Sequence, residues 1–132
     1  LEACFSGKYT KQDMQKILVG KGGYVGYFGS NDALAVEKAA IAGDPKAELL
    51  EEAFAYQVAK QIGENAVVLK GKIDAIILTG GIAYGKPVIR RIKNYIEWIA
   101  PVAVYPGEDE MAAMALNANM IINGEVEVQD YQ

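Results

Sequence analysis

Hydrophobic and polar positions alternate with helical spacing along most of this chain, and the pattern breaks at two short, unbroken apolar runs. After Thr10, which can cap a helix, Met14, Ile17 and Leu18 fall on one side and Lys11, Gln15 and Lys16 on the other. That spacing predicts a helix over about 10–19. A glycine-dense loop is expected over 20–29, packed rather than floppy, because Tyr24, Val25, Tyr27 and Phe28 sit among its glycines. Ser30 or Asn31 would cap a helix over about 32–42, ended by Gly43. Asp44-Pro45 is an N-cap followed by proline at the first helical position, and it opens a long helix to about Leu69. Leu50, Phe54, Val58, Ile62 and Ala66 form one i, i+4 row of that helix, widened by Ala47, Ala55 and Ala59.

Residues 72–79 form the first apolar run and predict a strand. A helix over 87–99 follows, with Val88, Ile89, Ile92, Tyr95, Ile96 and Ile99 inward and Arg90, Arg91, Lys93 and Asn94 outward. Pro101 stops it, and 102–105 is the second strand. Pro106-Gly107 turns the chain, and Glu108-Asp109-Glu110 opens a last helix to about Ile122. Its Ala112, Ala113, Ala115 and Ala118 imply a close neighbour. The tail from Gly124 is acidic and reads as ragged.

The fold class is therefore α/β, helix-rich, with one small parallel β-α-β unit. Two parallel strands are too few for a stable sheet. Partner strands are expected from further chain, from another subunit, or from the 24–28 loop. At 132 residues one domain is the natural reading, and such a chain buries roughly 65–70% of its unfolded surface, enough for one core. The opening Leu1-Glu2-Ala3-Cys4-Phe5 reads as the interior of something longer, so residues 1–132 are expected to be a fragment.

Composition narrows the chemistry. The chain has 13 basic and 17 acidic residues, a net charge of −4, and no long basic cluster. Nucleic acid and anionic membranes are disfavoured as partners. No run of about 18 apolar residues is present, and no leader pattern is expected. The lone Cys4 has no internal disulfide partner, which suits the cytoplasm. With no histidine, imidazole acid–base chemistry, histidine-ligated metals and serine–histidine triads are excluded. Carboxylates, backbone amides, lysines and arginines remain.

The first strand ends in Gly80-Gly81. In open α/β sheets ligands bind beyond the carboxyl ends of parallel strands, and glycine there admits close backbone approach. Gly80, four residues, Gly85 and Lys86 nearly spell a phosphate loop. The next residue should carry a hydroxyl for magnesium, and it is Pro87. The dinucleotide fingerprint is absent as well. What remains is a tight turn or a ligand wall. Glu108-Asp109-Glu110, after the second strand, either complements a helix dipole or supplies a carboxylate to magnesium, directly or through water. Both features belong to one edge of the sheet. Ser30-Asn31-Asp32 reads as a helix cap. Lys21 and Lys86 read as solvated, although Lys86 could approach a phosphate. Trp98 and the tyrosines read as packing, and Cys4 as inert.

The ordered motifs CFSGKYT, GYFGSNDA, ILTGGIAYGKP and IAPVAVYPGEDEM, covering Cys4 to about Glu127, resemble the butyrate kinases. Those enzymes belong with the acetate kinases in the acetokinase branch of the actin-like ATPase superfamily, whose domains are ribonuclease-H-like. The resemblance implies phosphoryl transfer between ATP and a short-chain carboxylate, giving an acyl phosphate and ADP, with Mg2+ as the metal. It implies that residues 1–132 are a single C-terminal nucleotide-binding subdomain of a larger, two-domain protein, and a nucleoside contact for Gly80, Gly81, Ile82, Ala83, Tyr84 and Gly85. Asn31 and Asp32 would border the nucleotide on its other side. Acetate kinases carry an arginine two residues after that aspartate, where this chain has Leu34. Asp109, or Glu110 one residue on, would be the magnesium-linked carboxylate. The family's phosphate hairpins, histidine and phosphoryl-contacting arginines have no counterpart here, so no catalytic residue is expected in this chain and no turnover from it alone. The open edge of the strand ending at Thr79 predicts self-association into a homo-oligomer.

Overall fold

The computed structural model describes residues 1–128; the end of the acidic tail, 129–132, lies outside them. A single turn, α1 (Glu2–Phe5), comes first, followed by α2 (Lys11–Lys16). Thr10 and Asp13 form a reciprocal capping box at the start of α2: the Thr10 hydroxyl accepts from the Asp13 N–H, and the Asp13 carboxylate accepts from the Thr10 N–H. This helix is shorter than expected. A wide π-turn over Ile17–Lys21 takes over, and the backbone leaves helical angles at Val19 and Gly20. Leu18, expected inward, is 77% exposed.

The segment expected as a glycine loop is instead a short helix, α3 (Gly23–Phe28), between Gly22 and Gly29. Tertiary packing outweighs glycine's weak helix propensity here. The Tyr24 ring sits 5.6 Å from that of Phe54, and Phe28 packs on the cluster of Val36, Ala40 and Ala47. This segment therefore supplies no third strand.

Helix α4 (Ala33–Ile41) is capped by Asp32, whose carboxylate accepts from the Leu34 N–H at 2.9 Å. Helix α5 (Pro45–Val68) starts where Asp44-Pro45 predicts, with the Asp44 carboxylate accepting from Lys46 and Ala47. Its buried stripe is displaced from the predicted one. Ala47, Glu51 and Ala55 are buried, while Leu50, Phe54, Val58, Ile62 and Ala66 are half-buried beside them. Strand β1 (Ile76–Gly80) pairs in parallel with β2 (Val102–Pro106), in register from Ile76 opposite Val102 to Gly80 opposite Pro106. The crossover helix between them is α6 (Lys86–Ile96). Among the described residues these two strands are the whole sheet.

Helices α4 and α6 both pack on α5. The larger core joins Ala55 of α5 to Ile76, Ala83, Val88, Ile89, Ile92, Ile96 and Ala100. Fully burying an isoleucine or valine contributes about 1.5–3 kcal/mol, so the α6 face is the main fastening of the β-α-β unit. Arg91 and Tyr95 depart from their predicted faces. Arg91, expected in solvent, turns back onto α5 and meets Glu51 and Glu52. Tyr95, expected in the core, keeps its ring at the surface and donates its hydroxyl to Glu52 at 2.6 Å. Both moves follow from α5 presenting carboxylates to α6. Helix α7 (Glu110–Ile122) buries none of its residues against the rest of the chain, so its alanines meet no close neighbour among the described residues. No helix there is long and apolar enough to cross a membrane.

Candidate functional site

The two glycines at the end of β1 have different jobs. Gly80 has φ 84° and ψ −179°, a backbone region open essentially to glycine alone. That conformation lets its N–H donate to the Gly107 carbonyl at 3.3 Å and its carbonyl accept from the Gly107 N–H at 3.0 Å. The reciprocal pair ties the diglycine turn to the turn after β2, so the two strand ends form one edge as their order predicts. Gly81 opens a 3₁₀ turn, Gly81–Tyr84, and faces open space.

Beyond Gly81 lies a cleft of about 250 Å³. The turn and α6 give it Gly81, Ile82, Tyr84, Gly85 and Val88; α4 gives Ala33, Leu34 and Glu37; α5 gives Glu51 and Phe54; Tyr24 of α3 completes it. Its walls are largely apolar, with two carboxylates among them. The start of α4 thus faces the diglycine turn across the cleft. Asn31 and Asp32 are exposed, and Asp32 is engaged as the α4 cap, so Ala33 and Leu34 reach the cleft in their place. Ala83 is buried in the larger core and borders a separate groove that also holds Lys86, Arg90 and Lys93. Gly81 and Lys86 therefore face different cavities, and they do not close on one phosphate as a phosphate loop would.

Asp109 N-caps α7, its carboxylate accepting from the Ala112 N–H at 3.2 Å. This meets the dipole expectation for the acidic turn. The Glu108 carboxylate stands beside Gly80, about 3.8 Å from where a Cβ there would lie. Glu108, Asp109 and Glu110 are all exposed. No group of three or more acidic or thiol side chains is arranged to hold a metal among the described residues. The Tyr84 ring lies against Gly107, where any β-carbon would collide with its hydroxyl.

Glu51 and Arg91 are the residues that sequence reasoning missed. Glu51 is 2% exposed. Its Oε2 lies 3.4 Å from Arg91 Nε, yet both atoms are buried without a hydrogen-bond partner among the described residues. Arg91 gives its better contact to Glu52, at 2.9 Å. Burial pushes the Glu51 carboxyl above the ordinary glutamate range, with Arg91 opposing and Glu37 adding to the push. Glu52 is held below that range by the Tyr95 hydroxyl first and Arg91 second. The Tyr24 hydroxyl is pushed up to about 12 by burial, assisted by the Glu51 charge. The available signal was the alanine row: position 51 lies four residues from both Ala47 and Ala55, where a carboxylate must be buried.

A model of the acetokinase family matches residues 6–122, a span that takes in the cleft, the diglycine turn and the acidic turn. The helix-rich α/β architecture with its small parallel sheet fits that family's fold, and the family implies a kinase acting on carboxylates. With the match running over most of its length, this chain belongs to the acetokinase family.

Proposed function

We propose that this chain is the nucleotide-binding part of a carboxylate kinase of the butyrate type, built on the actin-like ATPase fold, and that its cleft receives the nucleoside of ATP or ADP. The observation that carries this reading is the cleft between the start of α4 and the Gly81–Gly85 turn. Its volume of about 250 Å³ falls below the roughly 300–1,000 Å³ of pockets that enclose a drug-sized ligand. It suits a planar base, with ribose and phosphates outside. Leu34, Phe54, Ile82 and Val88 offer apolar walls to the base, and glycine at 81 leaves the backbone open to it.

The phosphates would then lie toward the Gly80–Gly107 edge, near the acidic turn. Mg2+ is bound through one or two carboxylates, several waters and the substrate phosphates. Three exposed carboxylates fit that outer role, Asp109 and Glu110 foremost. Magnesium would supply charge neutralisation at the transferring phosphoryl group, and positioning with charge neutralisation is most of catalysis in such kinases. Groups that contact the transferred phosphoryl lie outside this chain in the proposal, so by itself it binds nucleotide without turnover. A short-chain fatty acid is the proposed acceptor, and the cytoplasm the proposed compartment.

Calorimetry with Mg-ADP tests the reading. Binding at millimolar or lower ligand is expected, and it weakens without magnesium. Asp109→Asn keeps the helix cap, since asparagine caps as well as aspartate, and should lower the magnesium dependence with stability unchanged. Absence of heat at millimolar Mg-ADP would sink the nucleoside reading.

A further inference from the structure

We propose that β2 takes the acidic tail of a second copy of this chain as an added strand, seated in the basic groove along α6, and that two copies exchange tails. The groove has a volume of about 520 Å³, and from the sheet only β2 lines it, through Val104 and Pro106. It therefore opens at the edge of β2 that no strand pairs with among the described residues. Such an edge presents N–H and C=O groups that an extended segment can satisfy. Lys86, Arg90 and Lys93 of α6 give the groove its charge. Lys93 is paired with Glu97 at 3.5 Å, while Lys86 and Arg90 have no ion-pair partner among the described residues.

The two faces of the sheet beside that edge differ, and together they specify the strand that fits. Val102 and Val104 pack toward the core with Ile76 and Leu78, on the α6 side. Successive side chains alternate between faces, so Ile77 and Tyr105 point the other way, and they are 62% and 65% exposed. An added strand needs acidic residues on the α6 side and apolar ones on the other. Glu125-Val126-Glu127-Val128 has that alternation. In an extended chain its two carboxylates stand about 7 Å apart, and Lys86 and Arg90 are about 6 Å apart along the helix axis. All four tail residues are exposed. The tail begins at the far end of α7, whose 13 residues bury nothing on their own chain and span roughly 20 Å. With α7 unfastened from its own sheet among the described residues, a second copy is the occupant, and exchange in both directions closes one two-fold pair. Exchange also brings the exposed Met111, Met114 and Leu116 of α7 against the partner. The proposal stands apart from what the cleft binds.

Sedimentation equilibrium over a range of protein concentrations tests it. The wild type is expected to form a dimer that weakens as salt rises. Lys86→Glu with Arg90→Glu, and separately Glu125→Lys with Glu127→Lys, set like charges against each other at both exchanged contacts. Each pair of changes should weaken the dimer at least about tenfold. An equimolar mixture of the two variants should restore it, because every basic tail then finds an acidic groove and every acidic tail a basic one. Damage to α6 or α7 alone is not rescued by mixing. A chain ending at Gly124 loses the occupant outright and should be weakened as much, which decides the matter even where a charge variant fails to fold. A wild type that is monomeric at every concentration, an undiminished dimer in the shortened chain, or folded charge variants that do not recover on mixing overturns the proposal.

Discussion

Replacing each glycine of the Gly80-Gly81 pair by alanine should have opposite consequences. Gly80, at φ 84° and ψ −179°, occupies a region where a residue with a β-carbon is strained by about 1–3 kcal/mol. Space adds nothing to that figure: the new β-carbon would meet only Glu108 Oε1, at 3.8 Å, an ordinary contact. Relaxing the angle would instead break the reciprocal bonds to Gly107, at about 0.5–1.5 kcal/mol each. Gly80→Ala is therefore expected to destabilise by about 2 kcal/mol. Gly81 has no positive φ and open space around a β-carbon. Alanine fits there and restricts the unfolded chain, a gain of about 0.4–1 kcal/mol. The two variants should differ by about 3 kcal/mol, or about 10 °C in Tm for a domain of this size. Urea denaturation followed by circular dichroism measures the gap, with m unchanged. Gly81→Ala should also weaken Mg-ADP, because its methyl group enters the cleft, whereas its stability is intact. Equal midpoints for the two variants, or a less stable Gly81→Ala, would refute the assignment of backbone strain to Gly80 alone.

Two further outcomes follow from charge and from exposed apolar surface. The folded protein holds a proton on Glu51 more tightly than the unfolded chain does, so ionising Glu51 lowers stability as pH rises from the ordinary glutamate range toward neutrality. Denaturant titrations across that window should show Glu51→Gln gaining on the wild type as pH rises; a gap that stays constant or closes contradicts the burial argument. Helix α7 exposes Met111, Met114, Leu116 and Ile122, and among the described residues nothing pairs with either edge of the two-stranded sheet. Light scattering should find concentration-dependent self-association that Leu116→Lys weakens, and a strict monomer at all concentrations would count against the oligomer expectation.

What could be read in the sequence was local. Asp44-Pro45 placed α5 to within a residue because cap and proline act on their own turn. The apolar runs gave β2 and the end of β1, which begins at Ile76 and not at residue 72, and Val88, Ile89, Ile92 and Ile96 gave α6, since burial on one face imposes its own period. The diglycine and acidic turns were brought to one edge by chain order alone. What escaped depended on distant partners. Residues 20–29 looked like a loop by glycine content, yet Tyr24 and Phe28 fold them onto α5 and α4 as a helix. Arg91 looked solvated, yet it answers Glu52 from 39 positions away in the chain. Glu51 drew no reading of its own from the sequence, and its burial emerges only once α4 and α6 pack on α5.

The cleft has walls of unequal firmness. Its α6 side belongs to the cluster of eight buried residues around Ile92 and Ile96. Its α4 side is fastened by Val36, Ala40 and Ala47, two of them alanines. Segments with few buried apolar contacts open at lower free energy than the core around them. The side next to α4 is thus the hinge and the diglycine side the anvil, with α5 running beneath both. A ligand that joins Leu34 to Ile82 ties the less protected segment to the more protected one. Occupancy of the cleft then registers as slower amide exchange along α4, a signal that travels through ordering and requires no change of shape.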